Sequence, residues 1–319
     1  VPEANPVCER LAIVGLGLIG SSIARGARQY GLARSIVAID RDPVVIERVR
    51  ALGLADEATG EAEGIAGADL VILCVPVGAV GAVAEAMAPH LKPGAILSDV
   101  GSVKASVVAA VSPHLPDGVR FVPAHPVAGT EYSGPDAGFS TLFSGRWCIL
   151  TPPEGTDEAA TAQVQAFWEG LGAIVESMTP EHHDLVLAIT SHVPHLIAYN
   201  IVGTAADLEA VTQSEVIKFS AGGFRDFTRI AASDPTMWRD VFLTNKDAVL
   251  EMLGRFNEDL SALARAIRWG DGDALFDLFT RTRAIRRGIV ALGQETAEAD
   301  FGRSRTPPEP AKDEPVNER

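Results

Sequence analysis

The sequence predicts an α/β protein, with a doubly wound, mostly parallel sheet in its first half and an all-α second half. Three observations carry this. Short apolar runs alternate with helix-period stretches up to about residue 178. A Gly-x-Gly-x-x-Gly turn follows directly on the first of those runs. Beyond Pro180 the strand signals stop and long helical stretches take over. The predicted division is 8–178 for the sheet domain, 179–302 for the helical domain, and 303–319 for a Pro- and charge-rich tail expected to be disordered.

The bulk properties narrow the function. A chain of 319 residues with 47% hydrophobic content can bury a large core. A formal charge of −15 argues against nucleic acid or an anionic membrane as partner, since both need a basic patch. No apolar run approaches the roughly 20 residues that span a bilayer. The first ten residues hold no apolar signal core, so export is not expected. Cys8, Cys74 and Cys148 are scattered and lack Cys-x-x-Cys spacing, which predicts neither a disulfide framework nor a zinc site. Cys74 and Cys148 fall in apolar strand-like runs and are expected to be buried thiols of a cytoplasmic protein.

The first strand is predicted over 11–15 and feeds Gly15-Leu-Gly17-Leu18-Ile19-Gly20. A helix over 19–30 and a strand over 35–39 follow, and the strand ends at Asp40. Each glycine has a distinct physical role. Gly15 permits the tight turn, Gly17 lets the backbone approach a pyrophosphate, and Gly20 allows close helix packing. The helix N-terminus, with Leu18 and Ile19, presents free N–H groups to phosphate. Strand, glycines, helix, strand and terminal acid in this order predict a Rossmann-type domain that binds a dinucleotide. Asp40 would accept hydrogen bonds from ribose hydroxyls and repel a 2′-phosphate, which favours NAD; Arg41 beside it could accommodate such a phosphate.

A strand over 69–75 closes at Val75-Pro76, and a helix is predicted over 80–91. A strand over 95–100 leads into Gly101-Ser102-Val-Lys104, and a shorter run at Phe121-Val122 leads to His125. Ligands of open parallel sheets bind beyond the carboxyl ends of strands, so Pro76, Ser102 and His125 should face one crevice. Ser102 has an alternative role as N-cap of the next helix, and Lys104 is expected to be solvated or phosphate-facing. Strands over 146–150 and 173–176, with a helix over 157–171 between them, complete the domain. The segment His125-Pro-Val-Ala-Gly-Thr130-Glu131 sets a titratable imidazole on what reads as a short Pro/Gly-interrupted loop, where catalytic groups tend to sit.

Helices are predicted over 180–206, 208–218, 235–267 and 272–292, with Asp234 as cap and Pro235 in the first turn of the third. Ser191-His192-Val193-Pro194-His195 interrupts an apolar helical run, and Pro194 should kink it or start a new helix. Two histidines there are either satisfied core groups or site residues. A metal site is disfavoured, because no carboxylate or cysteine accompanies the pair at ligand spacing. Arg225 and Arg229 stand four apart between aromatics and would share a helix face. They suit carboxylate capture, Arg225 more than Arg229 on the residues alone; an internal pair with Asp226 is the alternative. Trp238 reads either as core or as a ring stacked on a ligand.

Together the blocks at 15–21, 99–104, 125–131, 191–195 and 226–231 resemble the prephenate/arogenate (cyclohexadienyl) dehydrogenase family of tyrosine biosynthesis, over nearly the whole chain from Leu11 to about Leu292. The resemblance implies an NAD-dependent oxidative decarboxylation of prephenate and/or arogenate to 4-hydroxyphenylpyruvate and/or tyrosine. It also implies a homodimer through an all-helical dimerisation domain. It makes His125 the catalytic histidine at the substrate hydroxyl, with Ser102 assisting on the nicotinamide side. It places His195 near the substrate, Arg229 on a substrate carboxylate, Thr130 and Glu131 in the active-site loop, and Trp238 near the substrate mouth. Arg229 thereby moves ahead of Arg225. Glu131 is expected to pair with one of these arginines and to gate access. Two rival readings remain. One is another NAD(P)-dependent hydroxyacid-type dehydrogenase using a helix-borne lysine, with Lys218 as the candidate. The other is a catalytically silent NAD-binding regulator.

Overall fold

The computed structural model describes residues 6–130, 132–212 and 221–291. The chain divides into two compact units, Val1–Leu253 and Gly254–Arg319.

The first unit is built on a six-stranded parallel sheet of β1 (Cys8–Val14), β2 (Ala33–Ile39), β3 (Glu57–Thr59), β4 (Leu70–Leu73), β5 (Ile96–Asp99) and β6 (Arg120–Phe121). Their order is β3-β2-β1-β4-β5-β6. The strands read as continuous apolar runs because both faces are covered. Leu11, Ile13, Leu70 and Ile72 point into one buried cluster, and Ala12, Val14, Val71 and Leu73 into another on the opposite face. Helix α1 (Leu18–Tyr30) packs on the first face. Helices α3 (Val80–Met87) and α4 (Ala105–Val111) pack on the second, while α2 (Pro43–Ala51) connects β2 to β3. Strand order reverses between β1 and β4, which opens a crevice at their carboxyl ends.

A second sheet of three strands follows: β7 (Ala124–Pro126), β8 (Trp147–Leu150) and β9 (Ile174–Ser177). Strands β7 and β8 are antiparallel, β8 and β9 parallel, with α5 (Glu158–Gly170) between the last two. This corrects the expectation of a loop around His125. The histidine is the central residue of β7 and pairs with Ile149. Pro123, which has no N–H, ends the ladder after β6 and turns the chain into the smaller sheet, where its carbonyl accepts from Thr151.

From Thr179, whose hydroxyl caps the next helix, the chain runs through α6 (Pro180–Leu187), one π-helical turn (Ala188–His192) and α7 (Val193–Thr212). The break expected at Pro194 is this wide turn: the helix continues, and the missing proline N–H is absorbed without a second start. The span Pro180–Leu208 is long enough and, at a mean hydropathy of 1.5, apolar enough to cross a membrane by length and composition, contrary to the expectation that no such run exists. Here it carries Asp184 and four histidines, His182, His183, His192 and His195, with His183 and His192 fully buried. Helices α8 (Gly222–Thr228) and α9 (Pro235–Thr244) follow, the latter capped by Asp234. The predicted single helix over 235–267 is broken at Asn245, which leaves helical geometry at φ −109° and ψ 30° before α10 (Lys246–Trp269) begins.

The second unit starts within α10 and contains α11 (Gly272–Ala291), reached through Gly270 at φ +69°. Both helices leave large apolar side chains exposed, among them Ile267, Trp269, Phe276, Phe279 and Ile285. Position 292 and the tail over 303–319 lie outside the described residues.

Candidate active site

The cofactor side of the crevice is made largely of main chain. A Cβ on Gly15, at φ +95°, would fall 2.5 Å from the Cys74 carbonyl oxygen, and one on Gly20 would fall 2.0 Å from the Gly15 carbonyl oxygen. Gly17 faces open space, as a position reserved for a ligand would. Helix α1 begins at Leu18 and Ile19 without a side-chain cap, so its first N–H groups are free for an anion. Asp40 directly follows β2, and its carboxylate accepts from the Leu16 N–H at 2.8 Å and the Asp42 N–H at 3.0 Å. It thus anchors the glycine turn while keeping lone pairs for ribose hydroxyls. Arg41 is exposed beside it, and Val75 and Pro76 line the end of β4. These residues fit NAD.

The chemical side is made of buried side chains. His125 is 8% exposed, and its Nδ1 lies 2.8 Å from Nε2 of His183. Nδ1 of His183 lies 2.8 Å from Oδ1 of Asp184. The Asp184 carboxylate also accepts the N–H groups of Lys104 (2.8 Å) and Ala105 (2.9 Å), and so caps α4 from outside. Ser102 is therefore not the cap: Lys104 occupies that position, and no side chain of its own segment bonds there. The expectation for Lys104 is also overturned. Its side chain is fully buried, and the ammonium donates to Asp99 and to the Ala124 carbonyl beside His125. Burial pushes the Lys104 ammonium down and the Asp99 carboxyl up, and their mutual attraction opposes both shifts. Burial, with the neighbouring His183, Lys104 and His192, holds His125 well below the usual histidine value, so at neutral pH it is an uncharged base.

A second group joins this one through His192. The Asn245 side-chain amide donates to the Asp184 carbonyl at 2.9 Å and sits 3.1 Å from Nδ1 of His192. Burial lowers His192 to about 4, an effect partly offset by Asp184 and by the Ser102 carbonyl that faces its ring. Trp238 is buried and stacks on His195 with ring centroids 3.7 Å apart and planes 24° from parallel. It also meets His192 edge-on and packs on Val103, next to Ser102. His195 is lowered by burial, while its Nδ1 faces the Ser191 carbonyl at 2.8 Å and the charge of Arg229 bears on its ring.

The structure thus brings together Ser102, His125, His192, His195, Trp238 and Arg229. Arg225 and Arg229 are both exposed, and of the two only Arg229 bears on the ring of His195. The ion pairs among the described residues do not include Arg225 with Asp226. Thr130 is half-buried and its hydroxyl accepts from Tyr132. Glu131 and Lys218 lie outside the described residues, and with them the expected gate and the rival lysine. Sequence reasoning missed His183, Asp184 and Asn245. The signal was Glu181-His-His-Asp184, two histidines and two carboxylates in the first turns of a helix, absorbed into a helix start.

Comparison with known proteins bears on both halves. Residues 23–177 match the nucleotide-binding domain of prephenate dehydrogenase, and 179–281 match the dimerization domain of that enzyme. The chain is 45% identical over 284 residues to a cyclohexadienyl dehydrogenase of Zymomonas mobilis, covering 89% of this chain and 97% of that one. A prephenate dehydrogenase of Aquifex aeolicus, solved in complex with hydroxyphenyl propionate and NAD+, superposes with a TM-score of 0.83 at 35% identity, covering 88% and 98% of the two chains. An arogenate dehydrogenase of Synechocystis superposes with a TM-score of 0.75 at 29% identity, covering 88% and 99%.

Proposed function

Because the chain belongs to the prephenate dehydrogenase family, we propose that it oxidises and decarboxylates prephenate, arogenate or both in tyrosine biosynthesis, with NAD as hydride acceptor. The observation that carries this reading is a buried histidine, His125, whose surroundings disfavour its charged form, beside the crevice of an NAD-type sheet, with Arg229 near the ring of His195.

The substrate is a cyclohexadienol with a ring carboxylate opposite the hydroxyl carbon. NAD, held by the glycine turn and Asp40, would supply the hydride acceptor for that carbon. His125 accepts the hydroxyl proton, and Ser102 orients the same hydroxyl. Carbon dioxide then leaves, and the electrons of its former bond to the ring complete the aromatic system. The phenolate oxygen takes the proton back from His125, so no net proton is released. A positioned base is worth roughly 10²–10⁴ in rate. Arg229 holds a substrate carboxylate, while His195, braced on Trp238, contacts the substrate. Thr130 and Glu131 are assigned to the active-site loop and Trp238 to the substrate mouth, while Arg225 is given no role in holding the substrate. Gly15, Gly17, Leu18, Ile19, Gly20, Asp40, Arg41, Val75 and Pro76 are assigned to the cofactor.

We place the boundary of the NAD-binding domain at about residue 178, and the dimer contact on the helical domain, whose exposed Trp269, Phe276 and Phe279 suit a second copy. Three free cysteines suit a cytoplasmic setting. The test is NADH absorbance with the full-length protein, NAD and either prephenate or arogenate. Substrate-dependent NADH with release of carbon dioxide supports the reading; NAD binding without turnover of either substrate overturns it.

A further inference from the structure

We infer that His183 is a positioning residue that fixes the His125 imidazole in the tautomer protonated at Nδ1, leaving the lone pair on Nε2 for the substrate hydroxyl. The inference rests on the reading of His125 as the base and adds the device that prepares it.

The hydrogens follow by elimination from a fixed end. Asp184 offers only lone pairs, and its two oxygens are held by the Lys104 and Ala105 N–H groups. Nδ1 of His183, 2.8 Å from Oδ1, must therefore carry a proton. His183 is fully buried, and burial lowers it below the free-histidine value despite the adjacent Asp184, so at neutral pH it is uncharged. Its Nε2 is then a lone pair. Nδ1 of His125, 2.8 Å away, must donate to it, since the other tautomer would set two lone pairs face to face at that distance. The rings meet at 69°, which lets one ring's N–H lie near the plane of the other. Nε2 of His125 stays outside the chain of bonds.

The same chain serves the charged state. Once His125 has taken the substrate proton, its Nδ1–H still donates to His183, and Asp184 supplies the balancing negative charge at the far end. The surroundings from every packed element keep that state transient. Lys104 from the start of α4 opposes it and Asp99 at the end of β5 partly cancels Lys104. His192 from the π turn is uncharged, and the Cys148 thiol of β8, pushed up by burial, faces the His125 main chain and stays neutral. His125 is thus built to borrow a proton and return it, as a reaction with no net proton release requires.

The test is ¹⁵N NMR of ring-labelled histidines in the full-length protein with NAD, the His125 signals being assigned by their loss in H125N. The wild type should show Nδ1 protonated and Nε2 bare. H183Q, whose amide oxygen can accept in the same place while its NH₂ faces Asp184, should keep that tautomer and keep kcat within a few-fold. H183L should give a mixed population and lose kcat at least about tenfold with KM for NAD unchanged; a triad histidine held in the wrong tautomer loses roughly 10⁴. A wild-type His125 protonated at Nε2 overturns the inference, as does an unmixed H183L tautomer with wild-type kcat. The wild-type spectrum decides even if H183L does not fold. Absence of turnover with both substrates alongside the Nδ1–H tautomer would instead count against the function and leave the positioning role standing.

Discussion

The two sides of the crevice are built from different materials. The cofactor side is a turn of main chain, fixed by three glycines and one carboxylate, with free N–H groups as its working parts. The chemical side is a run of buried ionisable side chains, from Asp99 and Lys104 through Asp184 and His183 to His125. Main-chain donors are uncharged and work at any pH. Buried ionisable groups work only in one protonation state and only with every partner present, because an unpaired charge in the interior is costly. Damage should therefore stay local and graded on the first side, and spread and depend on pH on the second.

The largest effect should be on turnover. His125→Asn should keep NAD binding, read by fluorescence titration, and lose about 10²–10⁴ in kcat. Next comes stability: Lys104→Ala leaves Asp99 buried without its partner, which costs about 3–5 kcal/mol, read as a lower midpoint in urea. Arg229→Ala should raise substrate KM by roughly 10- to 100-fold, the worth of a charged hydrogen bond, with a smaller change in kcat. Gly17→Ala should raise KM for NAD several-fold with little loss of stability, since its Cβ meets open space within the protein. A Gly17→Ala protein that unfolds, or a Lys104→Ala protein as stable as wild type, would erase the contrast between the two sides.

The contrast also has a pH signature in stability. His125, His183, His192 and His195 are all lowered, chiefly by burial. Below about 6.5 the unfolded chain takes up protons that the native protein does not. Their contribution is thus fully present above that value and is lost as the pH falls through it toward the native values. Urea midpoints measured from neutral pH down to about 5 should decline; a flat profile would contradict the burial.

The same difference in materials decides what could be read from the chain. The glycine turn and Asp40 are local in sequence and obey backbone sterics, so their spacing reveals them. The sheet strands were legible because burial on both faces leaves continuous apolar runs. His125 was legible as a reactive group, but its place on β7 was not, since that strand is three residues long and is defined by pairing with distant Ile149. Lys104 looked like a solvated or phosphate-facing cation because its spacing from Asp99, five residues away, does not reveal that the more distant Ala124 carbonyl completes a buried site around it. His183 reaches His125 across 58 positions and Asn245 reaches Asp184 across 61, and no periodicity encodes such contacts. Asn245 broke a helix that propensity alone would have continued, in exchange for two buried hydrogen bonds.

The central claim is that a buried, neutral His125 is the base. It is tested most directly by kcat/KM for prephenate and arogenate against pH in wild type and H125N. Wild type should hold a plateau through neutrality and fall only in acid, below the free-histidine value near 6.5, with the slope of a single proton. H125N should be slow throughout, without that limb. An H125N protein with wild-type kcat, or one that keeps the acid limb, would contradict the account.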